Sequence, residues 1–330
     1  MNAQTSQVQN VGFIGLGNVG GKLAASLLRN GFSLNVFDID SSVMESFAER
    51  GATTMSSPKH AAQQSDAVIT CLPTPQASAN SVEGKDGILE GFAEAGGSRL
   101  WMEMSTTDQQ EVLRLGGKAA SVGAMALDCP VSGGCHRAAT GNISIFAGGE
   151  RAAFDQAFPL LRVMGRRILH TGGLGTASVL KVITNYLASA NLVSLCEALV
   201  TARCAGMDLN TSYEAIRISS GNSFVHETES QVILNGSRDI NFTMDLVCKD
   251  VGLFQDIAER CGVPAELSPL LVKIFADGRD RYGEREWSPN IIRRLEEACG
   301  VSVLADGFPA EIVDNEPEEQ GYEVASSPKE

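Results

Sequence analysis

Between residues 11 and 170, short apolar runs alternate with stretches whose apolar residues recur at helical spacing. The runs at 11–14, 33–37, 67–71, 100–104, 124–128, 144–147 and 167–170 are too short for buried helices and read as strands. Helical stretches at 22–30, 43–50, 109–121 and 151–164 lie between them. This alternation predicts βαβ units, a doubly wound and mostly parallel sheet covered by helices. After Gly172, Gly173 and Gly175 the strand signals fade. Helical periodicity runs on to about residue 205, roughly 45 Å if continuous. It then continues over 209–219, 224–234, 244–261, 267–282 and 291–299, with breaks at Gly221, Gly236, Gly262 and Pro264.

The expected organisation is a flexible N-terminus at 1–10, an α/β domain at 11–173, an all-helical domain at 174–304 entered through the long helix, and a mobile tail at 305–330. The tail is rich in Glu, Asp, Pro, Ser and Gly and offers little apolar surface to offset its ordering entropy.

Length agrees with two cores, since single cores stop growing near about 250–300 residues and the chain has 330. Net charge is −14, of which −7 falls from Asp306 onward. That balance repels phosphate backbones and anionic lipid, so nucleic acid and membrane surfaces are not expected partners. The apolar stretch 182–202 contains Asn185, Ser189, Asn191, Ser194, Glu197 and Thr201 and reads as a core helix rather than a membrane span. Eight cysteines without C-x-x-C spacing, and no signal-peptide pattern ahead of them, point to reduced thiols in a cytoplasm. The four histidines show no paired spacing, so no metal site is expected. A G-x-S-x-G elbow and a P-loop are both absent, which removes the common hydrolase and kinase readings.

Gly15-Leu16-Gly17-Asn18-Val19-Gly20 follows the first strand and opens a helix, the context a dinucleotide-binding turn requires. Gly15 permits the turn, Gly17 admits a pyrophosphate, and Gly20 lets helix and strand pack closely. Asp38, 23 residues after Gly15, ends the second strand where an acid accepts from the adenosine ribose. It repels a 2′-phosphate, and Ile39-Asp40-Ser41 offers no arginine to receive one, so NAD is favoured over NADP. Asp38 also reads as a plain solvated turn residue. Leu72-Pro73 and Ser105-Thr106 end later strands, on the side where ligands of such sheets bind, and equally read as a turn and a helix cap. Ser132-Gly133-Gly134 exposes successive amides that suit a carboxylate. Lys181 and Asn185, four apart on an otherwise apolar helix, share one face. They read either as an acid/base and its orienting partner or as a snorkelling lysine with its neighbour.

Taken together, these segments resemble the β-hydroxyacid dehydrogenase family, over about residues 11–303. The match includes Gly12 to Gly20, Leu72-Pro73, Ser105-Thr106, Asp128 to Gly134, Gly175-Thr176 with Lys181 and Asn185, and Lys249-Asp250-Val251-Gly252-Leu253. The resemblance implies a Rossmann domain followed by a helical domain, with substrate in the cleft between them. It implies a catalytic Lys181, a substrate-carboxylate loop of Ser132, Gly133 and Gly134, and Asn185 as a substrate ligand. Gly15, Leu16, Gly17, Asn18, Val19, Gly20, Asp38, Leu72, Pro73, Thr106 and Lys249 would border the cofactor, with Asp250 supporting Lys249 or the domain packing. It also implies a homodimer or homotetramer. Ala77 departs from the pattern, standing where an asparagine often meets the cofactor.

The expected reaction is NAD-dependent interconversion of a small β-hydroxy acid and its semialdehyde or ketone, with Lys181 exchanging the hydroxyl proton. A free lysine, with pKa about 10.4, is a poor base at neutral pH, so base catalysis requires a lowered value. The sequence leaves open 3-hydroxyisobutyrate, 4-hydroxybutyrate, glycerate or tartronate semialdehyde, threonate, serine and sulfonate analogues. Two rivals stand beside this reading: an imine reductase, whose kind usually lacks the lysine, and a non-catalytic NAD-binding interaction module.

Overall fold

The computed structural model describes residues 8–325. The expectations for residues 1–7 and 326–330 lie outside that range. The chain forms two compact units, one running up to Lys181 and resumed from Asp314, the other spanning Val182–Val313.

The first unit is built on a ten-stranded sheet. Its strands are β1 (Asn10–Ile14), β2 (Ser33–Phe37), β3 (Thr53–Thr54), β4 (Ala67–Thr70), β5 (Arg99–Glu103), β6 (Ala124–Asp128), β7 (Val131–Ser132), β8 (Ser144–Gly148), β9 (Arg167–Gly172) and β10 (Tyr322–Glu323). They lie in the order β10-β9-β8-β6-β5-β4-β1-β2-β3, with β7 paired to β8. Pairing is parallel except where β8 meets β6 and β7. Eight helices accompany the strands: α1 (Gly20–Arg29), α2 (Ser41–Ala48), α3 (Pro58–Gln63), α4 (Pro75–Glu83), α5 (Ile88–Ala95), α6 (Gln109–Ser121), α7 (Gly134–Ala139) and α8 (Arg151–Met164). Strand side chains alternate between the two faces of the sheet. Ile69, Leu100 and Met102 therefore join one apolar cluster while Val68 and Trp101 join another.

The strand pattern is close to that expected, and the additions have physical reasons. α3 and α4 are short, Ala-, Gln- and Ser-rich helices whose starts are set by Ser57, Thr74 and prolines rather than by a clear apolar stripe, and α5 is a short helix of eight residues that starts at Gly87 without a side-chain cap. β3 and β7 have two residues each, too few for any periodicity to register.

Over residues 305–325 the tail expected to be mobile is placed against the rest of the chain. Ala305 N–H donates to Leu234 O, and the Phe308 ring stands edge-on to Tyr213 at 5.0 Å, both within the second unit. Over residues 314–325 the chain lies along the first unit and includes β10, parallel to β9. Gly321 N–H donates to Arg162 O at 2.7 Å, and a Cβ at Gly321 would sit 2.0 Å from Gly165 O. Glu316, Glu318 and Glu323 pair with Arg137, Arg29 and Arg151 at 3.3, 3.0 and 2.7 Å, and Glu319 pairs with Arg166. Asp314 accepts from Thr140 and Asn142. Composition misleads here because it weighs only the tail's own apolar surface. The order comes from strand pairing and from arginines far away in sequence.

The helix α9 (Thr176–Cys204) starts in the first unit and runs into the second. By length and composition alone it is apolar enough to cross a bilayer. In the second unit its Leu192, Leu195, Cys196, Leu199 and Val200 enter a core shared with the later helices. Those helices are α10 (Leu209–Arg217), α11 (Phe224–Asn235), α12 (Met244–Arg260), α13 (Leu267–Tyr282) and α14 (Arg293–Cys299), within about two residues of the expected bounds.

Candidate active site

The β1–α1 turn separates three glycine roles. Gly15 has φ +94°, and a Cβ there would lie 2.3 Å from Cys71 O at the end of β4. A Cβ on Gly20 would lie 2.1 Å from Gly15 O, so this glycine is needed for the helix to leave the strand so tightly. Gly17 is exposed, and a Cβ would meet nothing within 4 Å. The turn is open at this position. α1 begins without a side-chain cap and without an acidic residue in its first turn, so its positive end is left for an anion. These residues fit the pyrophosphate of a dinucleotide.

Asp38 accepts the Leu16 N–H at 2.6 Å through Oδ2 and the Asp40 N–H at 2.9 Å through Oδ1. It thus ties the glycine turn to the end of β2 while each oxygen keeps further acceptor capacity. The adjacent Ile39 is 98% exposed, an apolar side chain held in water beside the acid.

At the end of β4, Leu72 N–H donates to Ser105 Oγ at 2.8 Å, and Ser105 N–H donates to Glu103 Oε1 at 2.9 Å. Leu72 is half-buried and Pro73 exposed, while Thr106 is half-buried beside Ser105. Glu103 is fully buried, and that burial pushes its carboxyl above the ordinary range against the pull of the Ser105 bonds. The cap of α6 is Asp108, which accepts from Gln110 and Glu111 N–H. The Ser105 hydroxyl is therefore engaged with the β4 loop instead of capping.

The substrate-loop candidate begins at β6. Ser132 pairs with Ser144 of β8, after which Gly133 at φ +129° and Gly134 at φ +85° turn the chain into α7. A Cβ on Gly134 would come within 2.8 Å of the His136 ring. Burial, then the neighbouring Arg137, holds that imidazole below its ordinary value. Asp128, last in β6 and fully buried, accepts Gly175 N–H at 2.7 Å, Ser178 N–H at 2.6 Å and the Ser178 hydroxyl at 2.9 Å. Lys181, one turn beyond Ser178, is 8% exposed.

In the second unit, Asn185 Nδ2 donates to Asp250 Oδ2 at 2.5 Å, and Lys249 Nζ lies 2.9 Å from Asp250 Oδ1. Tyr186 and Phe254 stack at 3.7 Å with nearly parallel rings, fastening α9 to α12 beside this triad. Asp250 thus engages Asn185 as well as Lys249. Ser223 caps α11 and Asn222 bonds to Glu227, so these side chains serve the helix start. Sequence reasoning gave no part to Asp128 or Glu103, although Asp128 heads the very motif it singled out. Their roles depend on partners 2 to 50 residues away.

A family model described as the NAD binding domain of 6-phosphogluconate dehydrogenase matches residues 10–172. A second, described as the NAD-binding of NADP-dependent 3-hydroxyisobutyrate dehydrogenase, matches residues 175–295. The 2-(hydroxymethyl)glutarate dehydrogenase of Eubacterium barkeri is 32% identical over 89% of this chain and 97% of its own. An NAD-dependent L-serine dehydrogenase of Pseudomonas aeruginosa is likewise 32% identical, over 87% of this chain and 98% of its own. Among solved structures, the Mycobacterium tuberculosis 3-hydroxyisobutyrate dehydrogenase with L-serine superimposes with a TM-score of 0.76 and 26% identity, covering 87% of this chain and 99% of that one. Kinship of this extent, continuous from the glycine turn into the helices beyond α9, means that the chain belongs to the β-hydroxyacid dehydrogenase family.

Proposed function

We propose that the chain is an NAD-dependent dehydrogenase that interconverts a small β-hydroxy acid, or a hydroxy anion like it, with its semialdehyde or ketone. The observation that carries this reading is the buried Lys181 on a helix whose first turn is tied to the end of β6, four residues ahead of an Asn185 that is itself held by Asp250.

The β1–α1 turn, from Gly15 through Leu16, Gly17, Asn18 and Val19 to Gly20, would hold the cofactor pyrophosphate, while Leu72, Pro73 and Thr106 would border the rest. Bound NAD would supply the acceptor for hydride from the alcohol carbon. In oxidation Lys181 would take the hydroxyl proton at Nζ, and in reduction its ammonium would return one to the developing alkoxide. Ser132 and the amides of Gly133 and Gly134 would hold the substrate carboxylate. Asn185 would orient the reacting oxygen, its amide fixed by Asp250, and Lys249 would add positive charge for an anionic substrate.

NAD is favoured over NADP for two reasons. The Asp38 carboxylate would repel a 2′-phosphate, and the exposed Ile39 offers an apolar surface to an adenosine rather than a guanidinium to a phosphate. Exposed Leu180 and Leu187, seven residues apart on one face of α9, favour a homo-oligomer.

The test follows NADH appearance and consumption over a panel of β-hydroxy acids, ω-hydroxy acids, hydroxysulfonates and their aldehydes, with NAD and NADP, beside Lys181→Ala. Turnover of at least one panel member that favours NAD and collapses in Lys181→Ala is expected. Turnover that survives the substitution would remove Lys181 from the mechanism. Silence across the panel despite NADH binding would instead favour the imine reductase or the binding module.

A further inference from the structure

The Asp128 carboxylate joins two parts of the site that lie far apart in sequence. It ends β6, the strand that leads directly into the Ser132–Gly134 loop, and it is completely buried. Its acceptors are filled from the start of α9: Oδ1 takes the Gly175 N–H at 2.7 Å, and Oδ2 takes the Ser178 N–H at 2.6 Å and the Ser178 hydroxyl at 2.9 Å. Amides at a helix start have no partner within the helix, and a negative charge there is favoured by the dipole. The neighbouring backbone makes room for this arrangement. A Cβ on Gly148, the last residue of β8, would fall 2.4 Å from Asp128 Oδ1 and 2.9 Å from Thr176 Oγ1. Three residues beyond Ser178, one turn along the same helix, stands Lys181.

We propose that Asp128 is a positioning residue for Lys181: its carboxylate clamps the first turn of α9 to the end of β6, fixing the lysine in register with the substrate loop that starts from the same strand. The inference rests on Lys181 being the acid/base and adds the device that aims it. A carboxylate suits the task because both oxygens accept, so that two backbone amides and a hydroxyl are all satisfied. An asparagine keeps one acceptor and turns an NH2 toward one of those donors. The buried donor it faces is left unsatisfied, and the first turn of α9 must shift or loosen.

The experiment is a double-mutant cycle on the full-length protein: wild type, Asp128→Asn, Lys181→Ala and the double variant. Each is assayed with the hydroxy acid of highest turnover in the panel above. Titration with NADH and hydrogen exchange over residues 172–184 accompany the kinetics.

A displacement of about 1 Å at a catalytic group costs on the order of 100-fold, so Asp128→Asn should lower kcat about 10- to 100-fold. NADH affinity should change by less than about twofold, and exchange at the start of α9 should quicken. In the Lys181→Ala background the same substitution should cost under about threefold, because there is no lysine left to misplace.

Equal losses in both backgrounds would mean that Asp128 only supports the fold, and would overturn the proposal. So would an unchanged kcat in Asp128→Asn when Lys181→Ala has collapsed. If Lys181→Ala itself retains wild-type kcat, the acid/base reading fails, and the kinetics of that single variant identify it as the fault. Should Asp128→Asn fail to fold, Ser178→Ala removes only the hydroxyl arm. It is expected to lower kcat about three- to tenfold in the wild-type background alone. No change there overturns the proposal.

Discussion

The three glycines of the β1–α1 turn can be told apart by one methyl group. At Gly17 an added Cβ meets no protein atom within 4 Å, and φ is not among the positive values. Gly17→Ala should therefore leave the apo fold intact and even stabilise it by about 0.4–1 kcal/mol, through reduced freedom of the unfolded chain. For a unit of this size that is a rise of about 1–4 °C in Tm. The same methyl occupies the space through which a pyrophosphate would approach the backbone. Overpacking costs about 1–3 kcal/mol, so NADH affinity should fall about 5- to 150-fold.

Gly20→Ala acts in the opposite way. Its Cβ would lie 2.1 Å from Gly15 O and 3.2 Å from Gly15 C, both backbone atoms that cannot swing aside. The apo protein should lose about 1–3 kcal/mol. Thermal unfolding without cofactor and fluorescence titration with NADH measure the two effects separately. Wild-type NADH affinity in Gly17→Ala would show that the open side of the turn is not the cofactor side. A fall in apo Tm on that substitution would refute the assignment of Gly17 to ligand rather than packing.

Two further outcomes follow from buried or docked charge. Burial alone pushes the Glu229 carboxyl from 4.5 to about 8, and its Oε2 has no hydrogen-bond partner. The folded state then holds a proton that the unfolded state releases, so wild-type stability falls as pH rises from about 4.5 to about 8, by a few kcal/mol at most. Glu229→Gln should remove this slope and melt higher than wild type at pH 8, with the difference closing toward pH 4.5; a difference independent of pH would refute the reasoning. Deleting residues 314–330 removes β10 and the four ion pairs to Arg29, Arg137, Arg151 and Arg166, each half-exposed and worth about 0.2–1 kcal/mol. Tm should drop, and the drop should shrink in 0.5 M NaCl. An unchanged Tm would mean that the tail contributes nothing to the unit it lies on.

What the sequence makes legible is what the backbone reads locally. β1, β2, β4, β5, β6, β8 and β9 each carry a short apolar or alternating run that registers as a strand, and the glycine turn is recognisable because strand, turn and helix follow one another in the chain. The helical unit is equally legible, since α10 and α12 keep a 3.6-residue apolar stripe and α11 and α13 end at a glycine. The candidate residues are legible for the same reason: Lys181 and Asn185 are four residues apart on one helix, and Ser132, Gly133 and Gly134 are adjacent.

The rest was hidden because its cause lies at a distance. The reversal of β8 against β6 follows a connection over residues 129–143 that holds β7 and α7, and no periodicity encodes it. Asp128 looks like the ordinary end of a strand until Ser178, 50 residues later, is brought to its carboxylate. The tail is the extreme case. Glu318 meets Arg29 across 289 residues, and Glu323 meets Arg151 across 172. Taken alone, a segment with eight acids and one lysine is a self-repelling coil. Set beside four arginines and the free edge of β9, the same charges become complementary and the backbone gains a strand to pair with. Net charge is therefore a poor guide to order in this chain, because Glu316, Glu318, Glu319 and Glu323 are drawn against arginines of the first unit. The carboxylate that aims a lysine and the carboxylates that seat a tail share one physical feature: each acid is read correctly only after its donors, supplied by other elements, are in place.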